Sequence, residues 1–154
     1  MKVYCFTCEQ RLPVSLDLAW DFFSSPKNLK EITPKFLDFK ILDDFKEEKM
    51  YAGQIINYIV KPLFGIPVRW TTEITHVVEK RYFVDNQVFG PYALWHHKHF
   101  FKEIEGGVLM TDIVHYAIPY GLVGEIAHKL VVKKKITEIF EYRKKVLQQK
   151  FGYL

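Results

Sequence analysis

A chain of 154 residues with 49% apolar content can bury a core without disulfide or metal staples, and its length points to one domain spanning residues 1–154. No apolar run reaches the ~18 residues of a membrane span, and the formal charge of +4 comes without any nucleic-acid-binding motif, so nucleic acid is not expected as a partner. The aromatic share of 16%, with thirteen Phe and nine Tyr, calls for a rigid interior or a lined cavity.

The first segment, Met1 to Leu12, alternates as a strand and stops at Pro13. Within it the cysteines Cys5 and Cys8 fall on opposite faces and are not expected to pair. Unpaired thiols, and a start lacking a charged region followed by an apolar one, point to a reducing cytoplasm. Ser15 then caps a helix in which Asp17 favours the first turn and Leu16, Ala19, Trp20 and Phe23 share a buried face. Pro26 opens a second short helix through Asn28, Leu29 and Ile32, closed by Thr33 and Pro34.

Six strands follow in alternating texture: Phe36 to Leu42, Gly53 to Val60, Val68 to Val78, Tyr82 to Phe89, Leu94 to Ile104 and Val108 to Ile118. Their short connections make successive strands antiparallel neighbours. One connection, Leu63 to Pro67, reads either as a plain hairpin turn or as a gate carrying Phe64. The last segment, about Leu122 to Gln149, has apolar positions at helical spacing. At ~1.5 Å per residue this helix extends about 40 Å, enough to cross a seven-stranded sheet.

The expected fold is therefore α+β. A twisted seven-stranded antiparallel sheet curls, and the C-terminal helix is the element long enough to fill its concave face. A cavity between sheet and helix follows, since one helix does not fill so large a hollow. The C-terminal segment is also basic, with Lys129, Lys133, Lys134, Lys135, Arg143, Lys144, Lys145 and Lys150. With Glu125, Glu138 and Glu141 at helical spacing it reads as a solvated face, and contact with anionic lipid is the other reading.

The element order resembles the START-like (SRPBCC, birch-pollen-allergen-like) helix-grip superfamily over essentially the whole chain. A more specific stretch is Phe83, Asp85, Gln87, Gly90 and Pro91, then Trp95, His97, His99 and Phe101, then Asp112, Tyr116, Pro119 and Gly121. It is similar to bacterial ligand-binding SRPBCC domains related to polyketide cyclases and dehydrases. The resemblance implies a helix-grip fold and a small hydrophobic or aromatic ligand, such as a polyketide, quinone, fatty acyl group or lipid. It does not choose among carriers, lipid-transfer proteins and cyclases.

Period two places Trp95, His97, His99 and Phe101 on one face of their strand, opposite a face carrying Lys98 that is costly to bury. Phe83, Asp85 and Gln87 on one side, and Asp112, Val114 and Tyr116 on the other, should face the same interior. Trp70, alternating with Arg69 and Thr71, should point inward as well. The candidate ligand-binding set is thus Trp70, Phe83, Asp85, Gln87, Trp95, His97, His99, Phe101, Asp112 and Tyr116.

Its polar members read in four ways: a self-satisfied hydrogen-bond network, a patch that orients a ligand, a catalytic group built on His97, His99 and Asp112, or a metal site. The H-x-H pair with one carboxylate can hold iron or zinc, yet the motif is short, and no metal or other cofactor is expected. No nucleophile elbow, phosphate-cradling loop or CxxC pair accompanies the set, so binding takes precedence over a cyclase or dehydratase activity. The sequence leaves monomer or homodimer open.

Overall fold

The computed structural model describes residues 1–45, 49–62 and 65–154. Seven strands make one antiparallel sheet: β1 (Val3–Leu12), β2 (Lys40–Ile41), β3 (Gln54–Val60), β4 (Val68–Val78), β5 (Tyr82–Phe89), β6 (Leu94–Ile104) and β7 (Gly107–Ala117). The spatial order β1-β7-β6-β5-β4-β3-β2 follows from hairpin connections after β2, with β1 added beside β7.

Helix α1 (Leu16–Phe23) starts as its sequence dictates, with the Ser15 hydroxyl accepting from the Leu18 amide. Its face of Ala19, Trp20, Phe22 and Phe23 is buried. These rings join Leu12, Met110, Val108 and Leu147 in the core at one end of the sheet. The second short helix is a 3-10 turn, Pro26–Lys30.

Two expectations need correction. The strand expected over Phe36 to Leu42 is only Lys40–Ile41, paired with Ile59 and Tyr58. A 3-10 turn at Lys35–Leu37 precedes it and ends at Asp38, which adopts a left-handed backbone (φ 42°). A left-handed residue cannot sit in a regular ladder. The Asp38 side chain is held by Lys61 at 2.7 Å instead.

The long C-terminal helix is present and continuous, but its first half differs from expectation: α2 (Gly121–Ala127) continues through a π turn (His128–Val132) into α3 (Lys133–Phe151). The π turn brings His128 inward, where its Nε2 meets the Tyr116 hydroxyl at 2.9 Å and its ring stacks on Tyr4. α3 lays Ile136, Phe140, Arg143 and Leu147 against the sheet, while the expected apolar face of Leu122, Val123, Ile126 and Leu130 is exposed. α2 seats through Gly124, where a Cβ would lie 2.1 Å from the Pro119 carbonyl oxygen. Its larger residues therefore turn outward.

Among the described residues no helix is long and apolar enough to cross a membrane. Leu63 and Phe64, on which the gate reading rests, lie outside the described residues.

Candidate ligand cavity and its polar floor

Between the concave face of the sheet and α3 lies a cavity of about 210 Å³. Its walls are mostly rings and branched aliphatics: Phe39, Ile56, Trp70, Phe83, Tyr92, Trp95, Ile136 and Phe140 among others. Trp70 anchors one wall, edge-on to both Tyr92 and Trp95 and stacked against Tyr58. Its indole N–H donates to the Thr72 hydroxyl oxygen at 3.1 Å, and the Tyr58 and Thr72 hydroxyls lie 3.0 Å apart. Tyr58 and Tyr92 both line the cavity, and burial pushes both phenols well above their ordinary value.

The floor is polar. Pleating sets His97 and His99 side by side on β6, with ring centroids 3.7 Å apart. Strand register places Asp85 of β5 opposite His97 and Asp112 of β7 opposite His99. Each imidazole therefore lies between two carboxylates. His97 Nε2 is 2.9 Å from Asp112 Oδ1 and its Nδ1 is 3.5 Å from Asp85 Oδ2. His99 Nε2 is 2.8 Å from Asp85 Oδ2 and its Nδ1 is 2.9 Å from Asp112 Oδ1. The last contact is close but poorly aligned, and His99 Nδ1 makes no hydrogen bond among the described residues. From above, α3 lowers Arg143, whose Nη1 donates to Asp112 Oδ1 at 3.4 Å while its guanidinium lies over Phe23 and Phe140.

The protonation pattern follows from burial and partners. Burial works to raise the Asp112 carboxyl, but the Arg143 charge, the bond to His97 and the close His99 ring hold it well below the usual carboxylate range. Asp85 is likewise lowered: His97 and His99 overcome its burial. For His99 burial favours the neutral ring, and the two carboxylates outweigh it, raising its pKa. For His97 burial and the neighbouring His99 charge win, lowering its pKa.

With His99 protonated, as it is below its raised pKa, the cluster holds two carboxylates, one guanidinium and one imidazolium, and its charge balances. Neutral His97 has one N–H. The ionised Asp112 at 2.9 Å takes it on Nε2. His97 Nδ1 then presents a lone pair toward the Asp85 carboxylate 3.5 Å away. Both residues line the cavity, so a single donor from a bound molecule approaching from the cavity side would meet two acceptors at once.

Asp85, His97 and His99 each offer one ligand atom within 4.8 Å of the others, so a two-His, one-carboxylate metal set is sterically present. A dication there would have to displace the His99 proton and sit near Arg143, in a cluster already neutral.

Of the ten candidate residues, Trp70, Phe83, Asp85, Trp95, His97 and His99 line the cavity. Asp112 sits behind the two histidines and positions them. Phe101 lies in the core against Trp20 and Phe23. Gln87 folds back to bond the Tyr92 backbone at both its N–H and its carbonyl. Tyr116 bonds His128. Sequence reading missed Tyr58, Thr72, Tyr92 and Arg143. Tyr58 and Thr72 have a period-two signal beside Ile56 and Trp70, and Arg143 shares the helical stripe of Ile136, Phe140 and Leu147. Tyr92, in a turn, has none.

A curled seven-stranded antiparallel sheet with two short helical elements after its first strand and a long C-terminal helix over its hollow is the START-like, Bet v 1-like helix-grip fold. Particular solved structures share it. Protein TTHA0849 from Thermus thermophilus matches with a TM-score of 0.70 at 16% identity, over 96% of this chain and 97% of that one. Protein CV1439 from Chromobacterium violaceum gives 0.69 at 13%, over 96% of each chain. The Bet v 1-like allergen Ara h 8.0201 gives 0.60 at 18%, over 96% and 99%. Neither a family model nor a curated protein matches the sequence.

Proposed function

We propose that the protein binds a small, neutral, ring-bearing molecule in this cavity and orients it through a hydroxyl or N–H directed at His97 and Asp85. One observation carries the reading: an aromatic-walled cavity whose floor holds two facing acceptors in an otherwise charge-balanced cluster. An apolar cavity of about 150 Å³ accommodates benzene, so about 210 Å³ suits one or two fused rings.

Calorimetric titration with naphthalene and with 2-naphthol tests this. Both should bind, and 2-naphthol should bind roughly 10- to 100-fold more tightly, as expected of a hydrogen bond to a charged acceptor. Absence of binding by either compound would refute the cavity as a ligand site. Equal affinities would refute the orienting role of the floor.

A second reading, a cyclase- or dehydratase-like activity, is favoured by the unprotonated His97 Nδ1 at the cavity floor, a general base with its other nitrogen held by Asp112. The base would take a proton from carbon next to a ligand carbonyl. Exchange of the C2 protons of α-tetralone into deuterated water, followed by NMR, should then be accelerated by the protein and return to the solvent rate in His97→Asn. No acceleration by the wild-type chain removes this reading.

A further inference from the structure

The strand registers bring several exposed apolar residues to one end of the molecule. Val3 and Leu94 both pair with Ala117, and Phe89 pairs with Thr71 near the start of β4. The end of β5, the start of β6 and the exit of β7 into α2 therefore share an edge. Tyr120, Leu122, Val123, Ile126 and Leu130 are each between 59% and 83% exposed there. Val88 and Phe89 add two more exposed side chains from the end of β5. Solitary exposed hydrophobics need no explanation, but a concentration of them from two elements on one end does. Tyr120 is held there with a left-handed backbone, φ 72°, which costs a residue with a Cβ.

The surrounding charge is positive. Lys129, Lys133 and Lys134 project from the π turn and the start of α3, all at least partly exposed. With Lys2, none of them makes an ion pair among the described residues, whereas Lys135 is paired with Glu138 and Lys150 with Glu31. Their convergence is felt by His128, whose pKa is lowered by burial and then by Lys133, Lys2 and Lys129. Glu125 is the one acidic side chain on α2.

We infer that this end, formed by Tyr120 to Leu130 and the end of β5 and ringed by Lys2, Lys129, Lys133 and Lys134, is a docking surface for an anionic lipid bilayer. Large apolar side chains entering the headgroup boundary beside lysines is the chemistry of an interfacial helix, and tyrosine suits that depth. A protein partner would also accept the apolar residues, but the unpaired lysines around them favour a surface of dense negative charge. The cavity lining reaches the same end through Tyr92 and Pro62, so a docked molecule would present its cavity to the membrane. The inference does not depend on what occupies the cavity.

Co-sedimentation of the full chain with phosphatidylcholine vesicles, and with phosphatidylcholine–phosphatidylserine vesicles, tests it. Pelleting is expected with the second and not the first, weakening as sodium chloride is raised. Neutralising three lysines, Lys129→Gln with Lys133→Gln and Lys134→Gln, should lower partitioning on the order of 100-fold, about five-fold per lysine. Leu122→Ser with Ile126→Ser should lower it about ten-fold or more, and Phe89→Ser should weaken it from the other element. None of these positions is buried, so unfolding midpoints should match the wild type and folding defects can be told apart from lost binding. No pelleting with the anionic vesicles, or pelleting indifferent to these variants, would overturn the inference. So would a dimer in sedimentation equilibrium that the Leu122→Ser, Ile126→Ser pair abolishes, because the surface would then serve a second copy of the chain.

Discussion

Asp112→Asn isolates the charge balance at the cavity floor with almost no change in shape. The carboxylate is 5% exposed and faces three cationic or N–H groups: His97 at 2.9 Å, His99 at 2.9 Å and Arg143 at 3.4 Å. At a pH below the raised pKa of His99, the amide leaves Asp85 alone against Arg143 and protonated His99, one uncompensated positive charge in a buried site. Removing one member of a buried ion pair costs about 3–5 kcal/mol, against a stability of ~5–15 kcal/mol for a domain of ordinary size. In urea, with a slope of ~1–3 kcal/mol per molar, the unfolding midpoint should fall by roughly 2 M. Adding Arg143→Met to Asp112→Asn restores neutrality, so the double variant should be more stable than Asp112→Asn alone, by about 1–2 kcal/mol. A loss below about 1 kcal/mol for the single variant, or a double variant whose losses merely add, would refute the charge assignment.

The histidine pair also gives stability an optimum in pH. His97 is held below the ordinary 6.5, so its contribution is present above that value and is lost as pH falls through its folded pKa, with buried His128 acting in the same sense. His99 is held above 6.5, so its contribution is complete below that value and is lost as pH rises through its folded pKa. Asp85 and Asp112, lowered from 3.8, add a further loss as pH drops below about 4. Urea unfolding across pH should therefore show a maximum near 6.5, and His99→Gln should flatten the alkaline limb; a profile that rises steadily from 6.5 into the alkaline range would contradict the assignment. At the β1–β7 edge, a Cβ at Gly107 would lie 2.0 Å from the Leu12 carbonyl oxygen. Gly107→Ala should cost about 1–3 kcal/mol or more by the same unfolding assay. Leu147→Ala, a fully buried contact of α3 with the core of α1 and β7, should cost about 2–5 kcal/mol.

Most of the sheet was legible because its strands obey period two and its connections are short. Lys98 settled which face of β6 turns inward, and Asp85 and Asp112 followed by register with His97 and His99. What escaped depends on tertiary detail. Gln87 keeps the inward phase, yet the β4–β5 register shifts between Thr71 and Thr72, and its side chain satisfies the Tyr92 backbone instead. Phe101 is in phase too, but lies beyond the cavity under α1. Nothing local distinguishes Arg143 from Lys144 and Lys145 in a basic run. Its place on the stripe of Ile136, Phe140 and Leu147 does so only once α3 is known to face the cavity. The basic stretch is consequently several things: Lys129, Lys133 and Lys134 line an exposed apolar end, Lys135 and Lys150 make surface ion pairs, and Arg143 completes the floor.

The floor bears on what the cavity accepts. On the ligand-binding reading, a carboxylate placed against His97 Nδ1 would face Asp85 at hydrogen-bond range, and an ammonium would share the enclosure with Arg143 and protonated His99. Either charge would be stripped of water and left without a compensating charge, which is costly in a site of low polarity. A neutral hydroxyl or N–H meets neither difficulty, because it would donate from the cavity side to two acceptors already in place. Selection against charged ligands then comes from the protein having neutralised its own buried charges, and loss of that balance in Asp112→Asn should relax the preference. The variant should bind 2-naphthoate, which the wild type should reject, and continued rejection by the variant would show that the cavity's shape rather than its charge excludes anions.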